Sequence, residues 1–428
     1  MGESQMPVKL FPTLLLFLLP ATLIAKDHYM TPTGSGDRDG RDWDHALAAS
    51  SISNIVNQNM ESGDRLFLGS GLYRNVKLTI FRGGSSQTPN QIIGVDRGEG
   101  LPVFESTWSE DNPSKGATAI RIEPGVSHLV LSKLRVRKYM TGVKISPAAR
   151  GRDACSHIVF DDIGIERVRY GFYLSDVDDL RLDNCRLKRY TKHAFRFEEG
   201  CDRVTLRACV ADCSEGDPNW ETKTELFPFG FTVNKGGAPN TAFVFEDCLA
   251  TNNLMPLQKN RYKNGDGFVI EGNTRDVKLI RCRAIRNQDG GFDLKVPGVQ
   301  LTGCIALKNS RNFRIWSGGV LENCFSGWSR TGLWSNGDSV TANRCTFHQL
   351  KTAMLTDDRA KAPITLTNGL ISNTSQTHRK TGGKGGAVIK ETEITEAPNF
   401  VNPTENWNGL GEAMNSRAFP EKGYRSGE

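Results

Sequence analysis

Short apolar segments recur along the chain at nearly constant spacing, and each one starts with a small residue followed by an apolar residue. From Gly267 to Ala353 the successive spacings are 24, 21, 20 and 21 residues. Each repeat alternates apolar and polar positions between turn residues, and no helical period runs through it. Repeats of this length are too short for strands to alternate with helices. The pattern therefore predicts an all-β chain in which short strands stack coil upon coil as a parallel β-solenoid.

Alignment of the coils on the small residue assigns every strand position to a face. Because side chains alternate faces along a strand, the first and third positions after the small residue point inward and the second and fourth point outward. The second positions are Tyr173, Arg196, Thr232, Val269, Asp293, Arg314, Trp334 and Leu355. The fourth positions are Ser175, Glu198, Asn234, Glu271, Lys295, Trp316, Asn336 and Asp357. An acid, a base and two exposed tryptophans are thus predicted on adjacent coils, about 4.8 Å apart.

Seven of the ten cysteines share one sequence context, an alternating apolar stretch that ends in Cys. They are Cys185, Cys209, Cys248, Cys282, Cys304, Cys324 and Cys345. A residue that recurs once per coil is more simply a stacked interior ladder of free thiols than a set of disulfides, since buried free Cys behaves as a small hydrophobe. The other three, Cys155, Cys201 and Cys213, lie off this ladder, and a bridge among them is left open.

The N-terminus carries a short apolar run, from Leu10 to Ile24, that follows Lys9 and ends at Ala25. This pattern predicts a secretory signal peptide over residues 1–25, and hence a secreted protein, extracellular or periplasmic, with no membrane contact after cleavage. Residues 26–381 are assigned to the solenoid. Residues 382–428 contain no cysteine rung and are expected to form a C-terminal capping or return segment.

The formal net charge is +6, without a basic run or an interleaved aromatic platform. That balance argues against a nucleic-acid partner. A basic exported chain suits an acidic, extended partner such as a polyuronate, although the charge alone fits simple solubility equally well. A monomer is expected.

Several segments resemble the secreted β-helix polysaccharide lyases, in particular pectate lyase family nine. Segments 29–37 and 63–73 are similar to the first strands of that broad group. N-G-D-G-F at 264–268 and N-Q-D-G-G-F-D-L at 287–294 resemble the calcium-binding pair of segments, and N-S-R-N-F-R-I at 309–315 resembles the segment with the basic catalyst. The resemblance implies a single-stranded right-handed parallel β-helix, here with coils of 20 to 24 residues in the regular stretch.

The resemblance also implies site residues. Calcium would be held by Asp266, Asp289 and Asp293, and Arg314 matches the position of the base. Two positions depart from the family pattern, because Gly290 replaces a second adjacent aspartate and Arg314 replaces a lysine. A guanidinium beside a carboxylate is held protonated, so an alternative makes Arg314 a substrate-binding cation and Lys295 the base. The candidates for substrate contacts are Arg261, Lys263, Arg286, Arg311, Trp316 and Trp334.

The expected function is cleavage of an acidic, uronate-containing, pectate-like polysaccharide by calcium-assisted β-elimination. Removal of the C5 proton requires that the adjacent carboxylate be neutralised, which a hard cation such as Ca²⁺ does well. The alternatives are a β-helix glycoside hydrolase with two acids among Glu271, Asp289 and Asp293, a uronate epimerase, and a non-catalytic polysaccharide-binding β-helix. His193 stands at a strand start and is expected to be structural rather than a general base.

Overall fold

The computed structural model describes residues 25–149, 153–214, 228–233, 237–254, 264–401 and 414–426. All but the last residue of the predicted signal peptide lies outside these ranges. Within these ranges the helical structure is one short segment, Ala49–Ser51 as 3₁₀, Ile52–Asn54 as α and Ile55–Asn59 as π. In the described part of the chain, no helix combines the length and apolar character needed to cross a membrane.

The rest of the regular structure is a long series of short strands. In chain order they are β1 (Asp27–Thr31), β2 (Leu47–Ala48), β3 (Arg65–Leu68), β4 (Leu72–Arg74), β5 (Leu78–Ile80), β6 (Asn90–Gly94), β7 (Val103–Glu105), β8 (Thr118–Ile122), β9 (Ser127–Ser132), β10 (Arg135–Arg137), β11 (Thr141–Ile145), β12 (Cys155–Asp161), β13 (Gly164–Leu174), β14 (Val177–Asp183), β15 (Arg186–Phe197), β16 (Asp202–Arg207), β17 (Val210–Asp212), β18 (Phe229–Val233), β19 (Asn240–Glu246), β20 (Leu249–Thr251), β21 (Phe268–Ile270), β22 (Thr274–Ile280), β23 (Arg283–Ile285), β24 (Gly290–Leu294), β25 (Val299–Thr302), β26 (Ile305–Leu307), β27 (Arg311–Ile315), β28 (Gly319–Glu322), β29 (Phe325–Ser335), β30 (Val340–Asn343), β31 (Thr346–Thr356), β32 (Ile364–Thr367), β33 (Leu370–Ser372), β34 (Gln376–Lys380), β35 (Ala387–Lys390) and β36 (Glu393–Thr395).

These strands form three long parallel faces. The first face is a 15-stranded sheet that runs from β2 and β1 through β12, β22 and β25 to β35. The other 21 strands form one sheet that covers two sides of the solenoid, because the long strands β13, β15, β29 and β31 continue around the corner. Its second face includes β17, β20, β23 and β26, and its third face includes β18, β21, β24 and β27. The parallel pairing confirms the predicted β-helix solenoid.

A column of phenylalanines fills the interior behind the third face. Its members are Phe172, Phe195, Phe231, Phe268, Phe292 and Phe313, all essentially buried. Successive ring centroids lie 4.7 to 5.4 Å apart with nearly parallel planes. These are the first positions after the small residue of each coil, so the predicted inward direction is confirmed. The strands of this face are consequently held in one register by both backbone hydrogen bonds and ring stacking.

The cysteine ladder is interior, and its thiols are free. All ten cysteines are buried and unbridged, including Cys155, Cys201 and Cys213. Along the ladder each Sγ donates to a carbonyl oxygen of the preceding coil, as from Cys282 to Phe245 and from Cys304 to Leu279, both at 3.3 Å. The thiols thus form hydrogen bonds within the stack and do not form disulfide bonds.

An asparagine ladder fixes the corner between the second and third faces. The Asn253 side-chain amide donates to Oδ1 of Asn287 at 2.8 Å, and that of Asn287 donates to Oδ1 of Asn309 at 2.9 Å. All three side chains are buried. Because this corner directly precedes β24 and β27, the ladder sets where those two strands begin.

The C-terminal part combines a last coil with a return segment. Strands β35 and β36 continue the first and second faces beyond residue 381, so the predicted boundary lies within the last coil. Farther on, Tyr424 packs with Phe400 and Met414 against Phe325 and other apolar residues of the second face. The backbone amide of Tyr424 also donates to the Thr346 hydroxyl at 2.8 Å. This segment therefore returns over earlier coils.

We expect Phe268→Ala to lower the free energy of unfolding by about 3–5 kcal/mol, because it removes a fully buried ring and opens a cavity in the stack. Phe81→Ala is the matched control, since that ring is 61% exposed. The control should change stability by less than about 0.5 kcal/mol. Urea unfolding followed by tryptophan fluorescence measures both, and equal effects would contradict the stacking account.

Candidate functional site

The candidate site lies on the outward side of the third face. Asp293 of β24 pairs in register with Arg314 of β27, and Arg314 pairs with Trp334 of β29. The neighbours of Asp293 along its strand, Phe292 and Leu294, are buried in the interior, which directs Asp293 outward. The predicted column is thus confirmed as a physical row on successive coils.

One carboxylate holds two guanidinium groups. Asp289 Oδ1 accepts from Arg311 Nη1 at 3.0 Å, and Asp289 Oδ2 accepts from Arg314 Nη1 at 2.8 Å. Arg314 Nε also lies 3.5 Å from Asp293 Oδ1, and the residue is only 7% exposed. Arg311 was predicted as a substrate contact, and the structure brings it into the same cluster. The two cations are therefore positioned before any ligand arrives.

Lys295 lies on the other side of Asp293. Its ammonium is 2.7 Å from Glu271 Oε2 and 3.4 Å from Asp293 Oδ2. Burial lowers the pKa of Lys295, but the negative charges of Asp293 and Glu271 raise it by more. The pKa of Lys295 therefore lies above its ordinary value. Lys295 is consequently a cation in the free protein at neutral pH.

Asp266 is fully enclosed beneath these groups. Its Oδ1 accepts a hydrogen bond from the backbone amide of Gly290. Burial raises the pKa of Asp266 well above its ordinary value, and the nearby charges of Asp293 and Asp289 add to that shift. Both effects shift the equilibrium toward the neutral acid.

Gly290 is required by this packing. A Cβ at position 290 would lie 2.8 Å from Asp266 Oδ1 and 3.3 Å from Arg314 Cδ. Because the first distance is shorter than a normal carbon contact, a larger residue would displace the neutral acid or the guanidinium. Asp266 and Arg314 thus occupy the space that a side chain at position 290 would need.

The two tryptophans pack against the arginine. Trp316 and Trp334 meet edge to face with centroids 4.6 Å apart, and the Arg314 guanidinium carbon lies 5.2 and 5.6 Å from their centroids. The indole of Trp316 donates to Asp293 Oδ1 at 2.6 Å, and that of Trp334 donates to Asp357 Oδ2 at 3.1 Å. Trp334 is only 5% exposed, so the prediction of two exposed tryptophans was wrong for this residue. Its neighbours cover it, and Trp316 remains half-buried.

Of the other predicted contact residues, Arg286 is described and is not brought into the cluster. Arg286 is exposed at the corner between β23 and β24, and within the described ranges no side-chain hydrogen bond or ion pair joins it to the site. Arg261 and Lys263 lie outside the described residues. His193 is buried, and burial together with the charges of Arg196, Lys192 and Arg169 lowers its pKa well below the ordinary value. A structural role for His193 agrees with this environment.

The three aspartates predicted as calcium ligands do not form a cation cage in this arrangement. Asp289 and Asp293 are paired with cations, and Asp266 is directed at a backbone amide. In the part of the chain that the structure describes, no group of three or more His, Cys, Asp or Glu side chains is placed to hold a metal ion. Calcium binding stays a prediction from the resemblance.

Comparison with known proteins bears on the fold. No family model and no curated protein matches the sequence. Among solved structures, pectate lyase Pel9A has a TM-score of 0.55 at 15% identity, with 89% of this chain and 84% of that chain covered. A rhamnogalacturonan lyase has a TM-score of 0.50 at 15% identity, covering 89% and 92%. The A-module of mannuronan C-5 epimerase AlgE6 from Azotobacter vinelandii has 0.53 at 11%, covering 81% and 94%.

The chain has the parallel β-helix fold. The TM-scores agree with that architecture. At identities of 15% and below, the likeness shows the fold alone, so the chemistry has to be argued from the residues of this chain. The sequence pattern missed two features of the site, the contact between Glu271 and Lys295 and the amide of Gly290 that binds Asp266. The contact between Glu271 and Lys295 could have been predicted, because both residues stand in the same outward column of fourth positions.

We expect Asp289→Asn to lower the free energy of unfolding by about 3 kcal/mol, because it leaves Arg314 and Arg311 without their shared carboxylate. Asp39→Asn is the control, since the Asp39–Arg41 pair at 2.7 Å is exposed. The control should cost less than about 1 kcal/mol. Urea unfolding midpoints measure both, and a similar loss in the two variants would contradict a structural role for the shared carboxylate.

Proposed function

We propose that the protein cleaves an acidic, uronate-containing polysaccharide by abstracting the C5 proton and eliminating the substituent at C4. The observation that carries this proposal is the cluster on the third face, where Arg311, Arg314 and Lys295 are fixed by carboxylates beside the half-buried Trp316. Cations are what a uronate carboxylate requires, and an aromatic face suits a sugar ring. The proposal also places this chemistry outside the cytoplasm, in line with the predicted signal peptide.

Arg314 is proposed as the cation that neutralises the substrate carboxylate. Loss of the C5 proton moves negative charge onto that carboxylate, so a fixed positive group beside it lowers the barrier. A guanidinium suits this role because it stays charged in proteins and its fork matches a carboxylate. Arg311, more exposed than Arg314, is placed to share the contact.

Lys295 is proposed as the base. An amine can give up its proton, whereas a guanidinium cannot under these conditions. The Lys295 side chain is 35% exposed and so is accessible from solvent. After its own proton has left to solvent, Nζ takes the proton from C5, the electron pair forms the C4–C5 double bond, and the C4–O bond breaks with the leaving oxygen protonated from water.

Epimerisation is the closest second candidate. It shares the abstraction of the C5 proton and differs in returning a proton to C5 instead of breaking the C4–O bond. The likeness to both a pectate lyase and a mannuronan C-5 epimerase supports the shared step and leaves its outcome to experiment. Hydrolysis is supported less, because it needs one acid and one base among carboxylates that here are paired with cations.

The test is to incubate the purified protein with polygalacturonate, rhamnogalacturonan and alginate, with and without a chelator. The expected result is an increase in ultraviolet absorbance from unsaturated ends on at least one polymer. Inverted C5 centres by NMR without shorter chains would replace elimination by epimerisation. Binding with neither product would overturn catalysis. Loss of product on chelation would establish the predicted calcium and contradict neutralisation by Arg314 alone.

The proposed roles of base and neutralising cation are distinguished by Lys295→Arg and Arg314→Lys, which both keep the positive charge. We expect Lys295→Arg to lower kcat by about 10²–10⁴-fold because it removes the group that accepts the proton. Arg314→Lys should mainly raise KM, since a cation remains but the forked contact is lost. The opposite pattern, with kcat lost only in Arg314→Lys, would assign the base to Arg314.

A further inference from the structure

A buried carboxylate lies in the first coil of the solenoid, immediately before β3. Asp64 is 4% exposed, and its oxygens accept hydrogen bonds from the backbone amides of Lys26 at 2.7 Å and Glu61 at 2.9 Å. In the part of the chain that the structure describes, no lysine or arginine side chain pairs with it. The neighbouring Arg65 instead binds Asp27 at 2.7 Å. Because a buried charge is costly without a counter-charge, a cation beside Asp64 would stabilise the first coil.

His28 does not provide this counter-charge. Its Nε2 lies 3.5 Å from Asp64 Oδ2, is buried, and forms no hydrogen bond within the described ranges. Burial and the charge of Lys26 lower the pKa of His28 by more than the contact with Asp64 raises it. The imidazole is therefore mainly neutral at pH 7. Among the described groups, Asp64 is thus compensated by two amide dipoles and a neutral ring.

The Lys26 nitrogen is the group that removal of the predicted signal peptide would change. Hydrolysis of the Ala25–Lys26 bond consumes one water, leaves a carboxylate on Ala25 and leaves a primary amine on Lys26. At neutral pH this amine is largely protonated, since the ordinary pKa of an α-amine is about 7.7–8.0. The Lys26 carbonyl accepts from the Arg65 amide at 2.9 Å, which keeps the nitrogen of the same residue beside Asp64. Cleavage thus replaces an amide N–H at this carboxylate by a full positive charge.

We propose that the Ala25–Lys26 bond is a processing site, and that its cleavage creates the counter-charge of Asp64. The peptidase that removes the export leader makes the cut, and the new α-ammonium of Lys26 forms an ion pair with Asp64 Oδ1. The cut chain is consequently more stable than a chain that continues past Lys26. This inference is independent of the chemistry proposed at Arg314.

The ion pair acts where the solenoid begins. β1 pairs in parallel with β3 from Asp27 to Met30, and Met30 is fully buried. A terminal coil has a neighbouring coil on one side only, so local unfolding of a stack starts most readily there. An anchor at Lys26, the residue before β1, opposes that unfolding. The position of the cut therefore affects the stability of the first coil.

The processing site is tested on the full chain, expressed with residues 1–25 and exported. Intact mass and N-terminal sequencing of the exported protein should give Lys26 as the first residue. A different first residue, or an uncut chain, overturns the proposal.

The ion pair is tested with a glycine inserted between Ala25 and Lys26, which turns the Lys26 nitrogen back into an amide after the same cut. We expect the insertion to raise the unfolding equilibrium constant from urea titration about fivefold or more, and to have no effect in an Asp64→Asn background. Asp96→Asn is the control background, because Asp96 also accepts from two backbone amides, at 2.8 and 3.0 Å. There the insertion should cost as much as in the wild type.

Two outcomes overturn the ion pair. The insertion leaves the stability of the wild type unchanged, or it costs the same in Asp64→Asn, in which case the loss is steric. If Asp64→Asn does not fold, the rate at which an α-amine-selective aldehyde modifies the N-terminus decides. An ion-paired Lys26 amine should react about tenfold more slowly than the inserted glycine, as expected for a rise of about one unit in the pKa of the amine. Equal rates overturn the proposal.

Discussion

The parallel register of the coils is the constraint on which the rest of this structure depends. Once each strand pairs with its equivalent on the next coil, every side chain faces its counterpart about 4.8 Å away. Inside, that repetition produces stacked phenylalanines, a thiol ladder and an asparagine ladder. Outside, it aligns polar residues into rows that no single coil could provide. A one-residue slip in any strand would exchange the two faces, so the interior ladders also fix the outward rows.

The same repetition brings charged side chains of neighbouring coils close together. At the candidate site these charges are compensated because acidic and basic side chains pair. Asp293 and Arg314 are neighbours only because their strands pair, and neither is well exposed. Burial of a lone charge is costly, so such residues persist where partners compensate them. Asp289 supplies that compensation for two guanidinium groups at once. The rigidity of the cluster is thus a consequence of burial, and it is also what preorganises cations for a carboxylate ligand.

The period and spacing of the sequence repeat correctly predicted the features that depend on the course of the backbone. The inward direction of Phe292, the outward row through Arg314 and the interior position of the cysteines all follow from alternation along strands and repetition between coils. The features of the site that the sequence did not predict depend on side-chain length and rotamer. Trp334 turned out to be covered because its indole reaches Asp357 on the next coil, and the approach of Asp266 to Gly290 depends on an amide direction that no residue pattern reports. The last coil passes residue 381 because its strands continue the ladders without a cysteine.

Charge balance bears on how the site receives its ligand. Among the described residues, three carboxylates (Glu271, Asp289 and Asp293) pair with three cations (Lys295, Arg311 and Arg314), so the charges of these six groups cancel. In the proposed function, a uronate carboxylate brings one more negative charge, so it pairs with one of these cations in place of a resident carboxylate. Glu271 is the most exposed of the three carboxylates, so its contact with Lys295 is the pairing that a ligand can replace with the least rearrangement of buried groups.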